Sequence, residues 1–145
     1  MTTAPERVLE TARRGELHHA IILHGPASET LSAIALRIAQ TLNCLNGTTG
    51  DDCSACTRIE KRLHPDVHFT EVAGEKKLIS IEQIREIVEA ATMRPYEGPN
   101  KVFIVDPADA LSVSGSNALL KTLEEPPRDT HFILLTRSPD LLLPT

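Results

Sequence analysis

Gly25-Pro-Ala-Ser-Glu-Thr-Leu-Ser32 has the length and the two ends of a phosphate-binding loop. The working pattern is G-x-x-x-x-G-K-[ST]. Its glycines let backbone N–H groups wrap phosphate oxygens, its Lys neutralises their charge, and its hydroxyl binds magnesium. Laid over that pattern without gaps, Gly25 and Ser32 match, Thr30 stands at the second glycine and Leu31 at the lysine. An alkyl side chain cannot replace an ammonium beside a polyphosphate. Thr30 disfavours a turn that needs positive φ, and Glu29 puts an acid where a polyanion would lie. Gly25-Pro26 by itself fits a plain turn between strand and helix better than a phosphate loop. A second candidate lies downstream, where Val102 to Asp106 is an apolar run ending in an acid. That is the form of a Walker B strand, in which the Asp holds magnesium and a neighbouring group directs the attacking water. Pro107 follows, where a Glu is needed; it accepts no proton and has no backbone N–H. Asp106 alone also fits a solvated acid at a strand end. The Lys and the Glu are missing while both frames remain, so neither ATP binding nor ATP hydrolysis is expected.

Cys44, Cys53 and Cys56 form the other chemically capable set. An odd count argues against a closed set of internal disulfides, and a Cys-x-x-Cys pair with one further Cys is a tetrahedral metal set short of one ligand. His64, Asp51, Asp52 or water could complete it; three free thiols are the alternative. The six histidines show no pairing with a Ser or Cys nucleophile. Ser112, Ser114 and Ser116 read as helix caps rather than nucleophiles.

The elements that must position these groups alternate. Glu6 to Leu17 predicts a helix broken at Gly15, and His19 to His24 a short buried strand before the Gly-Pro turn. Leu31, Ile34, Ala35, Ile38, Ala39 and Leu42 recur at offsets of three and four, predicting an amphipathic helix over 31–42. Residues 44–56, rich in Gly, Thr, Asn and Asp, read as a surface insertion. Asp66 to Val72 alternates at period two, as a strand does. Ser80 to Ala91 predicts a helix with Ser80 as N-cap and Gln83 completing a capping box. Lys101 to Asp106 is a buried strand, Ala73 to Lys77 a loop, Ser116 to Glu125 a helix stopped by Pro126-Pro127, and His131 to Thr136 a last strand. Such alternation predicts an α/β fold with a parallel sheet covered by helices on both faces.

Composition narrows the function classes. The chain has 145 residues, 41% apolar, enough for one domain with a real core. Aromatics are 3% with no Trp, which disfavours base stacking on single-stranded nucleic acid. A formal net charge of −5 disfavours direct binding to a phosphate backbone. Met1 to Glu10 has no apolar core of a signal peptide and no apolar run reaches membrane-spanning length, so a cytoplasmic protein with no membrane partner is expected.

Several segments then bear a resemblance to a known family. His19-Ala-Ile-Ile-Leu-His-Gly-Pro26, His64-Pro65-Asp66, Ile81-Glu-Gln-Ile-Arg-Glu86 and above all Asn117-Ala-Leu-Leu-Lys-Thr-Leu-Glu-Glu-Pro-Pro127 resemble the AAA+ (RecA-like) P-loop-type module of bacterial DNA polymerase III clamp-loader subunits. The resemblance covers roughly residues 8–145. It implies a clamp-loader role beside gamma/tau and delta subunits, reaching the sliding clamp and primed DNA through the assembly. Gamma/tau subunits keep the Lys and the Glu, and delta-prime subunits typically do not. Leu31 and Pro107 therefore imply the non-hydrolysing type, with a divergent gamma/tau-like ATPase as the alternative. On the same resemblance Thr136 falls at the sensor-1 position, and the helix bearing Lys121, Glu124 and Glu125 is a candidate subunit contact. Residues 44–64 resemble the family's four-cysteine zinc module, whose zinc is structural; Cys44, Cys53 and Cys56 match and the missing ligand falls at Gly50. Leu142-Leu-Pro-Thr145 resembles the run into the Ser-Arg-Cys arginine-finger motif. That motif and the C-terminal lid and collar domains are expected outside this 145-residue AAA+ domain.

Overall fold

The computed structural model describes residues 4–137; the Leu142–Thr145 run lies outside them. The element order is α1 (Ala4–Arg13), β1 (Ala20–His24), α2 (Ser28–Asn43), α3 (Ser54–Glu60), β2 (Val67–Thr70), α4 (Ile81–Ala91), β3 (Lys101–Val105), a 3-10 turn (Ala108–Ala110), α5 (Val113–Glu124) and β4 (Thr130–Thr136). The four strands form one parallel sheet in the order β1-β4-β3-β2.

Period-two alternation on the central strands divides the core into two layers. Val102 and Ile104 of β3, with Ile133 and Leu135 of β4, pack under α1, α2 and Ile59 of α3. Phe103 and Val105, with Phe132 and Leu134, face α4 and α5 on the other side. Both faces of β3 are therefore buried, which explains its unbroken apolar run. Phe103 and Phe132 stack across the strands with ring centroids 5.2 Å apart. The capping box on α4 is formed: Gln83 N–H donates to Ser80 Oγ at 3.2 Å, and Ser80 N–H to Gln83 Oε1 at 3.0 Å.

Three sequence expectations need correction. Helix α2 begins at Ser28, three residues before the predicted start, so Thr30 and Leu31 are helical and no positive φ is demanded of Thr30. Helix α5 begins at Val113 rather than Ser116. Ser112 is its N-cap, accepting from Gly115 N–H at 3.0 Å. Gly115 therefore lies inside the helix, where a Cβ would be crowded by Ser112 Oγ at 3.0 Å and Ile84 Cγ1 at 3.2 Å. The stretch 44–56 is also not simply a surface excursion. Its end turns into α3, where Ala55 and Cys56 are buried against α2.

Candidate functional site

Parallel strands end at one edge of the sheet, so the turns after β1 and β3 and the end of β4 converge. This is the position at which open α/β sheets bind ligands. Gly25 follows β1 and donates its N–H to Thr136 O at 3.4 Å. Asp106 follows β3, and Ser32 Oγ, on the first turns of α2, donates to Asp106 Oδ2 at 3.3 Å. The structure thus brings the loop hydroxyl and the strand-end acid together across 74 residues of sequence. Thr136 is buried and its hydroxyl donates to Asp109 Oδ1 at 3.2 Å.

Leu31 is 5% exposed and belongs to the core layer with Ala35, Ile133 and Leu135. Its Cδ2 lies 3.3 Å from where a Cβ on residue 25 would sit, so the leucine fills the space beneath Gly25 and only a glycine fits easily above it. The connection from β1 to α2 is just Gly25, Pro26 and Ala27, with no side-chain cap on the helix. Residues 28–31, which would lie in the cradle of a working loop, are already wound into helix. Pro26 and Thr30 are exposed.

An open cavity of about 480 Å³ adjoins these groups. Its ionisable lining is Glu71, Asp106 and Asp109 against Arg137 alone, with Leu31 and Pro107 among the apolar walls. Burial raises the Asp106 carboxyl above its ordinary value; the Ser32 hydroxyl opposes this and the Glu71 and Asp109 charges add to it. The cavity is thus acid-rich and offers no ammonium at position 31 and no carboxylate at 107. A larger cavity, about 720 Å³, lies along β2 and α4, and neither the Gly25–Ser32 loop nor Asp106 or Pro107 lines it.

Lys121 and Glu124 are exposed on α5 and Glu125 at its C-cap, while Leu119 and Leu123 of the same helix pack into the sheet. They do not line the cavity beside Asp106.

The cysteines converge in a separate cluster. Ligand atoms of Cys44, Asp51, Cys53 and Cys56 all lie within 4.8 Å of one another, and Cys44 Sγ and Cys53 Sγ are 4.0 Å apart. Zinc–sulfur bonds of about 2.3 Å in a tetrahedron place sulfurs about 3.8 Å apart, so the group fits zinc. Cys53 is also the N-cap of α3. Burial pushes the Cys56 thiol up to about 12. Two of the fourth ligands open in sequence are elsewhere. His64 is buried, with Nδ1 accepting from Asp66 N–H at 3.1 Å and Nε2 3.4 Å from Glu97 Oε1. Asp52 is exposed and outside the group.

Sequence reasoning missed a buried polar hub at the opposite, amino-terminal edge of the sheet. Asp66 is 1% exposed, and its carboxylate accepts N–H bonds from Tyr96 (2.5 Å), Glu97 (2.9 Å) and Gly98 (2.7 Å). Burial would raise this carboxyl, but the Gly98, Glu97 and Tyr96 amides outweigh it and hold the group below its ordinary value. Asn43 Oδ1 accepts from Asn100 N–H at 3.0 Å, and Asn100 Nδ2 donates to Leu42 O at 2.8 Å. Lys101, also buried, caps the end of α4 through the carbonyls of Ala90 and Met93. The sequence signal was available in Gly98-Pro99-Asn100, a loop that needs anchoring, but nothing in it names Asp66 as the anchor.

A parallel sheet with helices on both faces, its loop and strand-end acid meeting at the carboxyl edge, defines an AAA+-type P-loop domain. Comparison with known proteins narrows this. Residues 2–145 match the family described as DNA polymerase III, delta subunit, and the chain belongs to that family. It is 37% identical over 136 residues to DNA polymerase III subunit delta' of Pseudomonas aeruginosa, covering 91% of this chain and 41% of that protein. It is 40% identical over 129 residues to DNA polymerase III subunit gamma of Buchnera aphidicola, covering 87% of this chain and 35% of that protein. A DNA polymerase III gamma subunit-related protein of Thermotoga maritima superposes with a TM-score of 0.70 at 26% identity, over 94% of this chain and 42% of the other. The chain thus spans well under half the length of each relative. No helix among the described residues is long and apolar enough to cross a membrane.

Proposed function

We propose that this chain is a delta-prime-type clamp-loader subunit that neither binds nor hydrolyses ATP. It serves as a rigid wedge against which ATP-binding gamma/tau-type subunits move while a sliding clamp is opened and placed on primed DNA. The observation that carries this reading is Leu31, buried as core packing at the position where phosphate chemistry needs an ammonium. Pro107 beside Asp106 and the acid-rich cavity support it. Gamma/tau-type and delta-type subunits are the partners, in the cytoplasm, and the exposed α5 face with Lys121, Glu124 and Glu125 is a contact with one of them. A zinc ion held through Cys44, Cys53 and Cys56 pins the 44–64 segment to α2 as a purely structural element.

The likeness to a gamma subunit, 40% identical, supports a second reading as a divergent ATPase subunit. Reconstitution separates the two. The chain is combined with delta- and gamma/tau-type subunits of the same organism, and bound ATP is counted per complex. The non-hydrolysing reading expects clamp loading to require the chain while the count equals that of the gamma/tau-type subunits. An additional ATP site that disappears with the D106N variant establishes the ATPase reading instead. Charge reversal in a K121E/E124K/E125K variant is expected to weaken assembly without lowering the melting temperature of the free chain.

A further inference from the structure

We propose that Asp51 is the fourth ligand of the metal site, making it a three-thiolate, one-carboxylate centre; this rests on the reading that residues 44–64 hold zinc. Residue 50, the matched position for a fourth cysteine, is a glycine, has no donor side chain, and is tightly placed. Gly50 has φ +111, in the region that favours glycine, and a Cβ there would lie 3.1 Å from Gln40 Oε1 and 3.3 Å from Arg37 Nε. Both neighbours also bond to the same segment. Arg37 Nε donates to Thr49 O at 2.9 Å, and Gln40, itself buried, donates Nε2 to Cys56 O at 3.0 Å. Both bonds hold the segment against α2 from either side of the cluster.

Asp51, one residue on, reaches the sulfurs instead. Its carboxylate falls within the same 4.8 Å group as the three Sγ atoms. It is also oriented from behind, as ligating carboxylates are. Cys53 N–H donates to Oδ1 at 2.9 Å and Asn46 Nδ2 to Oδ2 at 2.8 Å, leaving each oxygen a further lone pair. Cys56 N–H donates to Cys53 Sγ at 3.4 Å, a contact that stabilises a thiolate. With His64 engaged by Asp66 and Glu97, and Asp52 outside the group, Asp51 is the remaining protein donor among the candidates. A hard oxygen in place of a soft thiolate predicts a site that binds zinc less tightly than four cysteines would.

Cobalt(II) titration of the full chain tests this, since tetrahedral d–d bands report geometry and sulfur-to-cobalt charge transfer reports thiolate number. One equivalent is expected to bind with the intensity of three thiolates. D51A should weaken cobalt and zinc binding by about 10-fold or more and shift the d–d bands. D51C should restore tight binding and raise the charge-transfer intensity by about one third, as a fourth sulfur joins three. H64A should leave the spectrum unchanged, and G50C should not rescue D51A. D51A with unaltered affinity and bands, or rescue by G50C, would overturn the assignment of Asp51. Failure of the unaltered chain to bind cobalt or zinc would remove the metal reading itself.

Discussion

Replacing Leu31 tests whether its site is core or nucleotide pocket. The side chain is 5% exposed, packs with Ala35, Ile133 and Leu135, and touches Gly25. Truncation to alanine removes buried methyl groups and leaves a cavity, which costs about 2–5 kcal/mol. For a domain of this size each kcal/mol lowers the melting temperature by about 3–4 °C, so L31A should melt roughly 10 °C lower. L31K restores the lysine of the working motif. It should lose similar stability, because an ammonium cannot stay among those apolar groups and its stem must bend out toward the cavity. It should gain no nucleotide affinity, because residues 28–31 remain helical and Glu71, Asp106 and Asp109 still line the cavity. The assay is thermal unfolding of L31A, L31K and the parent with and without Mg-ATP. A ligand at about 100 times its Kd would add about 2.7 kcal/mol. An L31K chain as stable as the parent and further stabilised by Mg-ATP would refute the assignment of position 31 to the core.

The other expectations concern stability. S80A removes the capping box at the start of α4 and should cost about 1 kcal/mol, read from urea unfolding; a change within experimental error would mean that Gln83 alone caps the helix. D66N removes the charge and one acceptor from a site taking N–H bonds from Tyr96, Glu97 and Gly98, and should cost about 2–3 kcal/mol with faster amide exchange at Glu97 and Gly98. Unaltered exchange there would argue that the loop is held by other contacts. Burial lowers His64, His68 and His131 below their ordinary 6.5. The unfolded chain therefore takes up protons first, so stability is full above about pH 6.5 and declines as pH falls through the lowered folded values. Asp66, also lowered, adds a further loss only below its ordinary 3.8. Urea midpoints at pH 8, 6.5 and 5 should fall in that order, and a flat or rising series would contradict the burial of these imidazoles.

Much of the fold was legible because local signals and tertiary packing agree. The Ser80–Gln83 capping box places the start of α4 correctly, and the Val102–Val105 run marks a strand buried on both faces. Where they disagree, the sequence misleads. The sequence predicts a helix starting at Ser116, yet it begins at Val113 and takes in Gly115, where a Cβ would crowd Ser112 Oγ and Ile84 Cγ1. Ser28 to Thr30 reads as loop under a phosphate-loop template, but without glycine at position 30 the chain winds into helix early. The Gly- and Thr-rich stretch at 46–50 hides the fact that Cys56 sits in the core. Of the candidate site residues, Ser32 and Asp106 come from separate motifs, and the fold brings them within 3.3 Å. Asp51 could not be chosen over His64 or Asp52 from spacing alone, because the choice depends on which carboxylate the turn brings to the sulfurs and on the bonds that occupy His64. The Asp66 hub joins segments about 30 residues apart and carries no local pattern.

Mg-ATP binding by the complete protein, measured by isothermal titration calorimetry, bears most directly on whether the crevice beside Asp106 takes a nucleotide. With leucine in the core at position 31 and proline after Asp106, no saturable heat is expected up to a Kd of about 1 mM. A one-to-one isotherm at micromolar Kd that is abolished by D106N would contradict it.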